Sequence, residues 1–478
     1  MADTESISFS QEFPRPPARL FLVGIGGIGM SAVAQFLKHQ GYQVAGSDRG
    51  LQEPSRQFLF RALERQGIAL FPQDGSGPRA FHPDGFVFTT AIEPGNPDAL
   101  AAPALPIFHR ATVLARLCAQ CGGKLIGVAG TCGKTTVTGW LGSALKALGH
   151  SLVLVNGGYL PELESPEAPG NFHATPGRPC PEFVVAEIDE SDRSIREFSP
   201  DYGVVLNVGD DHYSTAELQQ VFRDFLGRCR QGCLHPESLP ALAPLASQAP
   251  SRPFPTEIQA YSPRPDGISF LAPDGLRLRS RLAGRHNALN GLAVYQMLRL
   301  ALPAEPPERL AKAMEAFQGV RQRFEIFPTP PEAPAVVDDY AHNPEKIAAS
   351  IATARERFGS PLGIVFQPHG FGALRFMESP LGEHLKSALA PGDAFQMLPV
   401  YYAGGTVDFS PTSQEVAERF AQAGLPVQAV KSREEAEAAL RQGGYRAWLV
   451  LGARDTSLRE WSRALAQRLS GQKGGCAL

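Results

Sequence analysis

The stretch KLIGVAGTCGKTTVTGWLGSALKALG, residues 124–149, decides the fold. From Leu125 to Ala129 it is an apolar run of strand length, as in a strand covered on both faces. A glycine loop from Gly130 to Gly133 follows, and a helix-length segment runs from Lys134 until Gly149 stops it. A strand, a glycine loop and a helix in that order place backbone N–H groups at a helix N-terminus, where the dipole favours an anion. In Gly130-Thr131-Cys132-Gly133-Lys134-Thr135-Thr136 the amides can cradle phosphates, Lys134 can reach the β- and γ-phosphates, and the Thr135 hydroxyl can meet Mg²⁺. The strict P-loop pattern has glycine at position 128, where this chain has Val128, so the loop is a shorter variant that begins at Gly130.

The same alternation lies on both sides. Upstream, ARLFLVGIG, YQVAGSD and GFVFTTAI read as strands, with GMSAVAQFLKHQG and PSRQFLFRALERQG as helices between them. Gly24-x-Gly26-Gly27-x-Gly29 joins the first strand to the first helix, and Asp48 ends the next strand. That is the dinucleotide-binding fingerprint, although its physics suits any nucleotide diphosphate. A tight turn without a ligand is the plainer alternative. Downstream, EFVVAEID and YGVVLNVG are buried strands, and AVVDDYAHNP, PLGIVFQPHG, DAFQMLPVYYAGG and RAWLVLGARD begin the alternation again. An α/β fold with mostly parallel sheets in three domains is expected, over residues 1–115, 116–318 and 319–478. The proline-rich stretches near 161–181 and 235–255 read as surface loops or insertions.

Strand ends in open parallel sheets face the ligand crevice. Glu187 in AEIDESD and His212 in NVGDDH close two such strands, so both can meet the Mg²⁺ held by Thr135. Asn287 and Asn290 in GRHNALN are candidates for a helix cap and for the edge of a purine. Arg323 in GVRQRFE and Asp339 in DDYAHNP lie beyond the second joint and are expected to close over ATP.

Composition narrows the classes. With 45 basic against 48 acidic side chains, nothing drives binding to nucleic acid. The charge-free run from Leu20 to Leu37 is interrupted by Gly24, Gly26, Gly27 and Gly29, so no membrane insertion is expected. Seven scattered cysteines do not suggest a disulfide framework, and the leading residues lack a signal peptide's basic start, so a cytoplasmic protein is expected. Cys118 with Cys121, and Cys229 with Cys233 and His235, have nearly the spacing of zinc ligands; buried or surface thiols are the simpler reading.

The motifs GIGGIGMSAVA, AIEPGNP, GTCGKTT, AEIDESD, NVGDDH, GRHNALN, GVRQRFE, DDYAHNP and LPVYYAGG, in this order over nearly the whole chain, resemble the Mur ligases of peptidoglycan synthesis, most closely the alanine-adding branch. The resemblance implies a Rossmann-like UDP-sugar domain, a central P-loop ATP domain and a Rossmann-like amino-acid domain. It also implies the reaction: ATP phosphorylates the carboxylate of UDP-N-acetylmuramate, and an amino acid's amine attacks the acyl phosphate. Lys134 and Thr135 would hold the γ-phosphate and Mg²⁺, and Glu187 and His212 a second Mg²⁺. Asn287 and Asn290 would lie near the adenine, with Arg323 and Asp339 clamping ATP. Gly24, Gly26, Gly27, Gly29, Asp48, His109 and Arg110 would contact the uridine diphosphate; His342, His369 and Arg375 fall at the amino-acid end.

Three departures stand out. Cys132 occupies a position usually held by histidine, Asn343 follows His342 where a second histidine is usual, and Gly370 and Ala373 replace two arginines expected to grip the amino-acid carboxylate. Arg375 is the nearest substitute. L-alanine is the expected amine, with another amino acid or a tripeptide as alternatives. An NAD(P)-dependent oxidoreductase would leave Gly130 to Thr136 unexplained, and a non-catalytic nucleotide-binding protein would leave Lys134, Glu187, His212 and Arg323 unexplained. The chain is expected to be a monomer or homodimer.

Overall fold

The computed structural model describes residues 10, 12–90, 92–93, 95–102, 104–190, 194–209, 215–244, 249–402 and 409–471. The chain divides into two compact units, one of residues 1–261, 269–281 and 288–320, the other of 262–268, 282–287 and 321–478.

The first unit opens with strands β1 (Arg19–Val23), β2 (Gln43–Asp48), β3 (Ala69–Pro72), β4 (Gly85–Phe88) and β5 (Ile107–His109). They form a parallel sheet of order β3-β2-β1-β4-β5. Helices α1 (Ile28–His39), α2 (Gln57–Arg65), α3 (Ser76–Phe81), α4 (Pro97–Ala101) and α5 (Arg110–Gln120) connect and follow them. The strand order reverses beside β1, so the glycine turn at its end opens into the crevice where such sheets bind ligands.

A seven-stranded sheet follows, of order β12-β11-β10-β6-β9-β7-β8. Its strands are β6 (Lys124–Ala129), β7 (Leu152–Val155), β8 (Phe172–Ala174), β9 (Phe183–Glu187), β10 (Tyr202–Val205), β11 (Gly232–Pro236) and β12 (Ser251–Phe254), and only β8 runs antiparallel to its neighbour. Helix α6 (Lys134–Ala147) follows β6, and α7 (Thr215–Gly227) follows β10. Trp140 of α6 is fully buried, stacks on Phe317 at 5.5 Å and donates its indole N–H to Met314 O at 2.9 Å. Removing a buried aromatic of this kind costs about 3–5 kcal/mol. A three-stranded sheet of β13 (Gln259–Arg264), β14 (Gly267–Leu271) and β15 (Arg277–Ser280), then α8 (Arg285–Ala301) and α9 (Pro307–Met314), complete the middle of the chain.

Two stretches carry strands. The stretch near 161–181 contains β8, and that near 235–255 contains β12, where surface loops or insertions were expected. Pro253 is tolerated because β12 is an edge strand, with no outer neighbour asking for its missing N–H. Residue 115 lies within α5. Val113, Leu114 and Leu117 of that helix share one core cluster with Leu20 and Leu22 of the first sheet and Val184 and Val205 of the second.

The second unit holds a six-stranded sheet, β16-β17-β21-β18-β19-β20, antiparallel only at β16. The strands are β16 (Glu325–Phe327), β17 (Ala335–Asp339), β18 (Leu362–Gln367), β19 (Ala394–Met397), β20 (Val427–Ala429) and β21 (Ala447–Gly452). The helices are α10 (Pro344–Phe358), α11 (Phe371–Ala388), α12 (Ser413–Gln422), α13 (Arg433–Gln442) and α14 (Ser457–Leu469). Alternate strand residues sort to two cores. Val337, Ile364, Phe366 and Leu449 meet α10, α11 and α12 on one face, and Val336, Val365, Trp448 and Val450 meet α13 and α14 on the other. Among the described residues, no helix is long and apolar enough to cross a membrane.

Candidate active site

The loop after β6 is held open by two glycines in left-handed backbone conformations, Gly130 at φ +127° and Gly133 at φ +87°. A Cβ on Gly133 would stand 2.6 Å from Asn290 Oδ1, and one on Gly130 would stand 2.9 Å from Leu206 N. Glycine is therefore required twice over, by torsion and by space. Asn207, just past β10, braces the loop from outside. Its Oδ1 accepts from Cys132 N at 2.8 Å, and its Nδ2 donates to Cys132 O at 3.0 Å. Thr131 Oγ1 accepts from Gly209 N at 2.9 Å.

Lys134 begins α6 and folds back over the loop, donating to Gly130 O at 2.6 Å and to Glu190 Oε1 and Oε2 at 3.0 and 2.9 Å. Burial works against its charge, but the carboxylates of Glu190, Glu187 and Asp189 outweigh burial and hold the ammonium above its ordinary pKa. Thr135 Oγ1 donates to Glu187 Oε1 at 3.2 Å, and Gly157 N donates to Glu187 Oε2 at 2.9 Å. A hydroxyl and a carboxylate in contact are hard oxygen donors, which suits Mg²⁺. His212, the third expected ligand, lies outside the described residues. No group of three His, Cys, Asp or Glu able to hold a metal occurs among the described residues. The His235 ring nitrogen is instead 3.1 Å from Ser251 Oγ.

The glycine turn after β1 opens into a cavity of about 480 Å³. Gly24, Gly27, Gly29, Asp48 and Arg110 line it at one end, and Asn156, Gly157, Glu187 and Asp189 at the other. Arg110 covers Gly29 so closely that a Cβ there would stand 2.6 Å from its guanidinium. His109 caps α5, with Nδ1 accepting from Ala111 N at 3.3 Å. Asp48 has a task of its own: Oδ2 accepts from Gly26 N at 2.8 Å, and Oδ1 accepts from Gly50 N at 2.7 Å and Arg56 at 3.2 Å. It fixes the glycine turn as well as lining the cavity. Asn156 Oδ1, buried at the end of β7, accepts no hydrogen bond among the described residues.

The remaining expected positions have surroundings of their own. Asn290 faces Gly133. Asn287 is buried at the start of α8 and donates to Ala283 O at 2.8 Å, so its amide nitrogen serves the helix start. In the second unit, Arg323 lies 4.8 Å over the Tyr340 ring, and Asp339 accepts from Ser350 Oγ. Burial raises the Asp339 pKa, while the Ser350 bond and the Arg323 charge oppose the rise. His342 and His369 meet edge to face at 5.2 Å. Burial pushes them down to about 3 and about 4, helped by Lys346 and Arg454 respectively, so both are neutral. Asn343 caps α10 through Lys346 N at 2.9 Å. Arg375 is exposed on α11 and donates to Ser410 O at 2.5 Å. Beside Gly370, Phe371 packs on Phe409 at 5.2 Å and on Tyr402 at 6.3 Å, so this corner is aromatic where arginines were expected.

Sequence reasoning assigned no role to Asn207, Glu190 or Arg56. Asn207 and Glu190 stand inside quoted motifs, at strand ends that face the crevice, and that position was the available signal.

A phosphate-shaped glycine loop, an acid beside its threonine, and a second glycine turn reaching the same acid define a nucleotide-using α/β protein built from parallel sheets. The chain belongs to the Mur ligase family. The family model "Mur ligase family, catalytic domain" matches residues 20–121, and "Mur ligase, glutamate ligase domain" matches residues 322–454. The chain is 34% identical over 418 residues to the UDP-N-acetylmuramate–L-alanine ligase of Gloeobacter violaceus, covering 84% of this chain and 85% of that protein. It is 30% identical over 488 residues to the enzyme of the same name from Symbiobacterium thermophilum, covering 94% of each. The crystal structure of the UDP-N-acetylmuramate–alanine ligase of Thermotoga maritima superposes with a TM-score of 0.77 at 26% identity, covering 95% of this chain and all of that one. A murein peptide ligase from Psychrobacter arcticus shares the fold, with a TM-score of 0.67 at 17% identity over 95% of this chain and 98% of that one.

Proposed function

We propose that this chain is an ATP-dependent ligase that joins L-alanine to the carboxylate of UDP-N-acetylmuramate, releasing ADP and phosphate. One observation carries the reading. The cavity from the Gly24 to Gly29 turn ends at Glu187, and Glu187 also touches Thr135 of the phosphate loop. A sugar nucleotide lying in that cavity would bring its far end to the place where a γ-phosphate is delivered. Curated relatives over most of the chain are named for this reaction.

The residues divide the work. Gly24, Gly26, Gly27 and Gly29 let the uridine diphosphate approach the backbone, with His109 and Arg110 beside it. Gly130 to Thr136 hold the ATP phosphates, Lys134 neutralises charge on the γ-phosphoryl group, and Thr135, Glu187 and His212 hold Mg²⁺. The metal supplies further neutralisation of the phosphate oxygens. Asn287 and Asn290 serve the adenine, Arg323 and Asp339 close on the nucleotide, and His342, His369 and Arg375 serve the amino acid. The three functions follow the divisions 1–115, 116–318 and 319–478, in a cytoplasmic protein.

The test is ADP release with UDP-N-acetylmuramate against a panel of amino acids and the tripeptide L-alanyl-γ-D-glutamyl-meso-diaminopimelate. Alanine-dependent turnover is the expected result, and its absence refutes the alanine reading. The aromatic corner at Phe371, Tyr402 and Phe409 is the reason to include the tripeptide, since no arginine of α11's first turn stands there to grip a small amino acid. Lys134→Ala is expected to lower turnover by about a thousandfold or more, because a buried charge aimed at a transferring phosphoryl group is lost.

A further inference from the structure

The ammonium of Lys134 has three N–H donors. Three acceptors stand within reach of it: Gly130 O at 2.6 Å and the two Glu190 oxygens at 3.0 and 2.9 Å. The Glu190 side chain is only 10% exposed and that of Lys134 only 14%, so water does not dilute the pairing. A phosphate that binds Lys134 must therefore take a donor from one of these acceptors, and two of the three belong to Glu190. The chain supplies the anion for its own phosphate site.

We propose that Glu190 is the positioning residue of Lys134, an internal counter-ion that keeps the ammonium folded on the loop and is displaced by the incoming nucleotide. The proposal rests on the reading that Lys134 holds a nucleotide phosphate. Displacement leaves Glu190 short of its partner beside Glu187 and Asp189, the other acids that act on Lys134. Bare ATP adds more negative charge to that cluster, whereas ATP arriving with a divalent cation brings the compensation along. Glu190 thus makes the site select the metal complex over the free nucleotide.

The experiment is calorimetric titration of a non-hydrolysable ATP analogue into the full chain, with Mg²⁺ and with a chelator. Glu190→Gln is expected to bind the metal-free analogue about tenfold tighter than the natural chain, and the Mg²⁺ complex within about threefold of it. Glu190→Asp keeps the charge but is too short to hold both bonds, so its metal-free affinity is expected to fall between the two. A purely structural role would weaken binding in both conditions alike, and that result overturns the proposal, as does unchanged metal-free affinity in either variant. If the Gln variant does not fold, the Asp variant decides alone. Failure of the natural chain to bind the analogue in either condition overturns the reading of the loop itself, and the Glu190 proposal with it.

Discussion

A single methyl group tests the phosphate loop. At Gly133 it would meet Asn290 Oδ1 at 2.6 Å while the backbone stays at φ +87°. Gly133→Ala should therefore lower stability by about 1–3 kcal/mol. It should also weaken ATP binding more than UDP-sugar binding, read by melting and by titration with each ligand. Asp48 gives a complementary case. Its two oxygens accept from Gly26 N, Gly50 N and Arg56, and an asparagine keeps only one of them. Asp48→Asn should cost about 1–3 kcal/mol and loosen the glycine turn, so that affinity for UDP-N-acetylmuramate falls while affinity for ATP holds. Equal loss for both ligands would show that the turn is no part of the sugar cavity. Lys134, Thr135, Gly24 and Gly29 were legible because their chemistry is local, with residue types at fixed spacing around one turn. The brace at Asn207 and the pairing at Glu190 were not, because their partners lie 75 and 56 residues away and only the sheet order brings them together.

Strands covered on both faces announced themselves, and short or peripheral ones did not. β1, β6, β9, β18 and β21 carry the long apolar runs that mark buried parallel strands. β3, β5, β16 and β20 have only three or four residues each, too few for a period to show, and all but β5 and β20 contain proline or a charged residue. Asn343 before Pro344 caps α10, and Asn343→Ala should cost about 1 kcal/mol. β17 offers a pH test. Asp338 is buried, accepts from Ser462 Oγ at 2.8 Å, and is pushed up to about 7 by burial above all. In the unfolded chain an aspartate ionises near 3.9, so the folded state holds a proton that the unfolded state has lost between that pH and 7. Stability therefore falls as pH rises through this window, and the penalty is complete above 7. Asp338→Asn removes the titration, so its stability relative to the natural chain should improve from pH 5 to pH 8 by about 2.7 kcal/mol, the roughly two units from pH 5 to 7 at 1.36 kcal/mol each. A difference that does not change with pH would mean that Asp338 is ionised in the fold.

Each compact unit has its own core, and the three tryptophans are divided between them: Trp140 in the first, Trp448 and Trp461 in the second. Every residue lining the cavity proposed for the sugar nucleotide lies between Val23 and Asp189, inside the first unit. A ligand there acts directly on the first unit's folding equilibrium. At a hundredfold excess over its dissociation constant it stabilises that unit by about 2.7 kcal/mol. Replacing Trp448 and Trp461 with phenylalanine leaves Trp140, fully buried against Phe317, as the reporter of the first unit. Replacing Trp140 alone leaves the second unit's reporters. UDP-N-acetylmuramate should raise the unfolding midpoint seen by Trp140 and leave unmoved the one seen by Trp448 and Trp461. A shift of equal size in both would show that the units unfold as one cooperative body, in which case the core clusters do not mark independent folding units. A shift seen only by the second unit's tryptophans would place the sugar nucleotide outside the Gly24 to Glu187 cavity and remove the observation on which the proposed function rests.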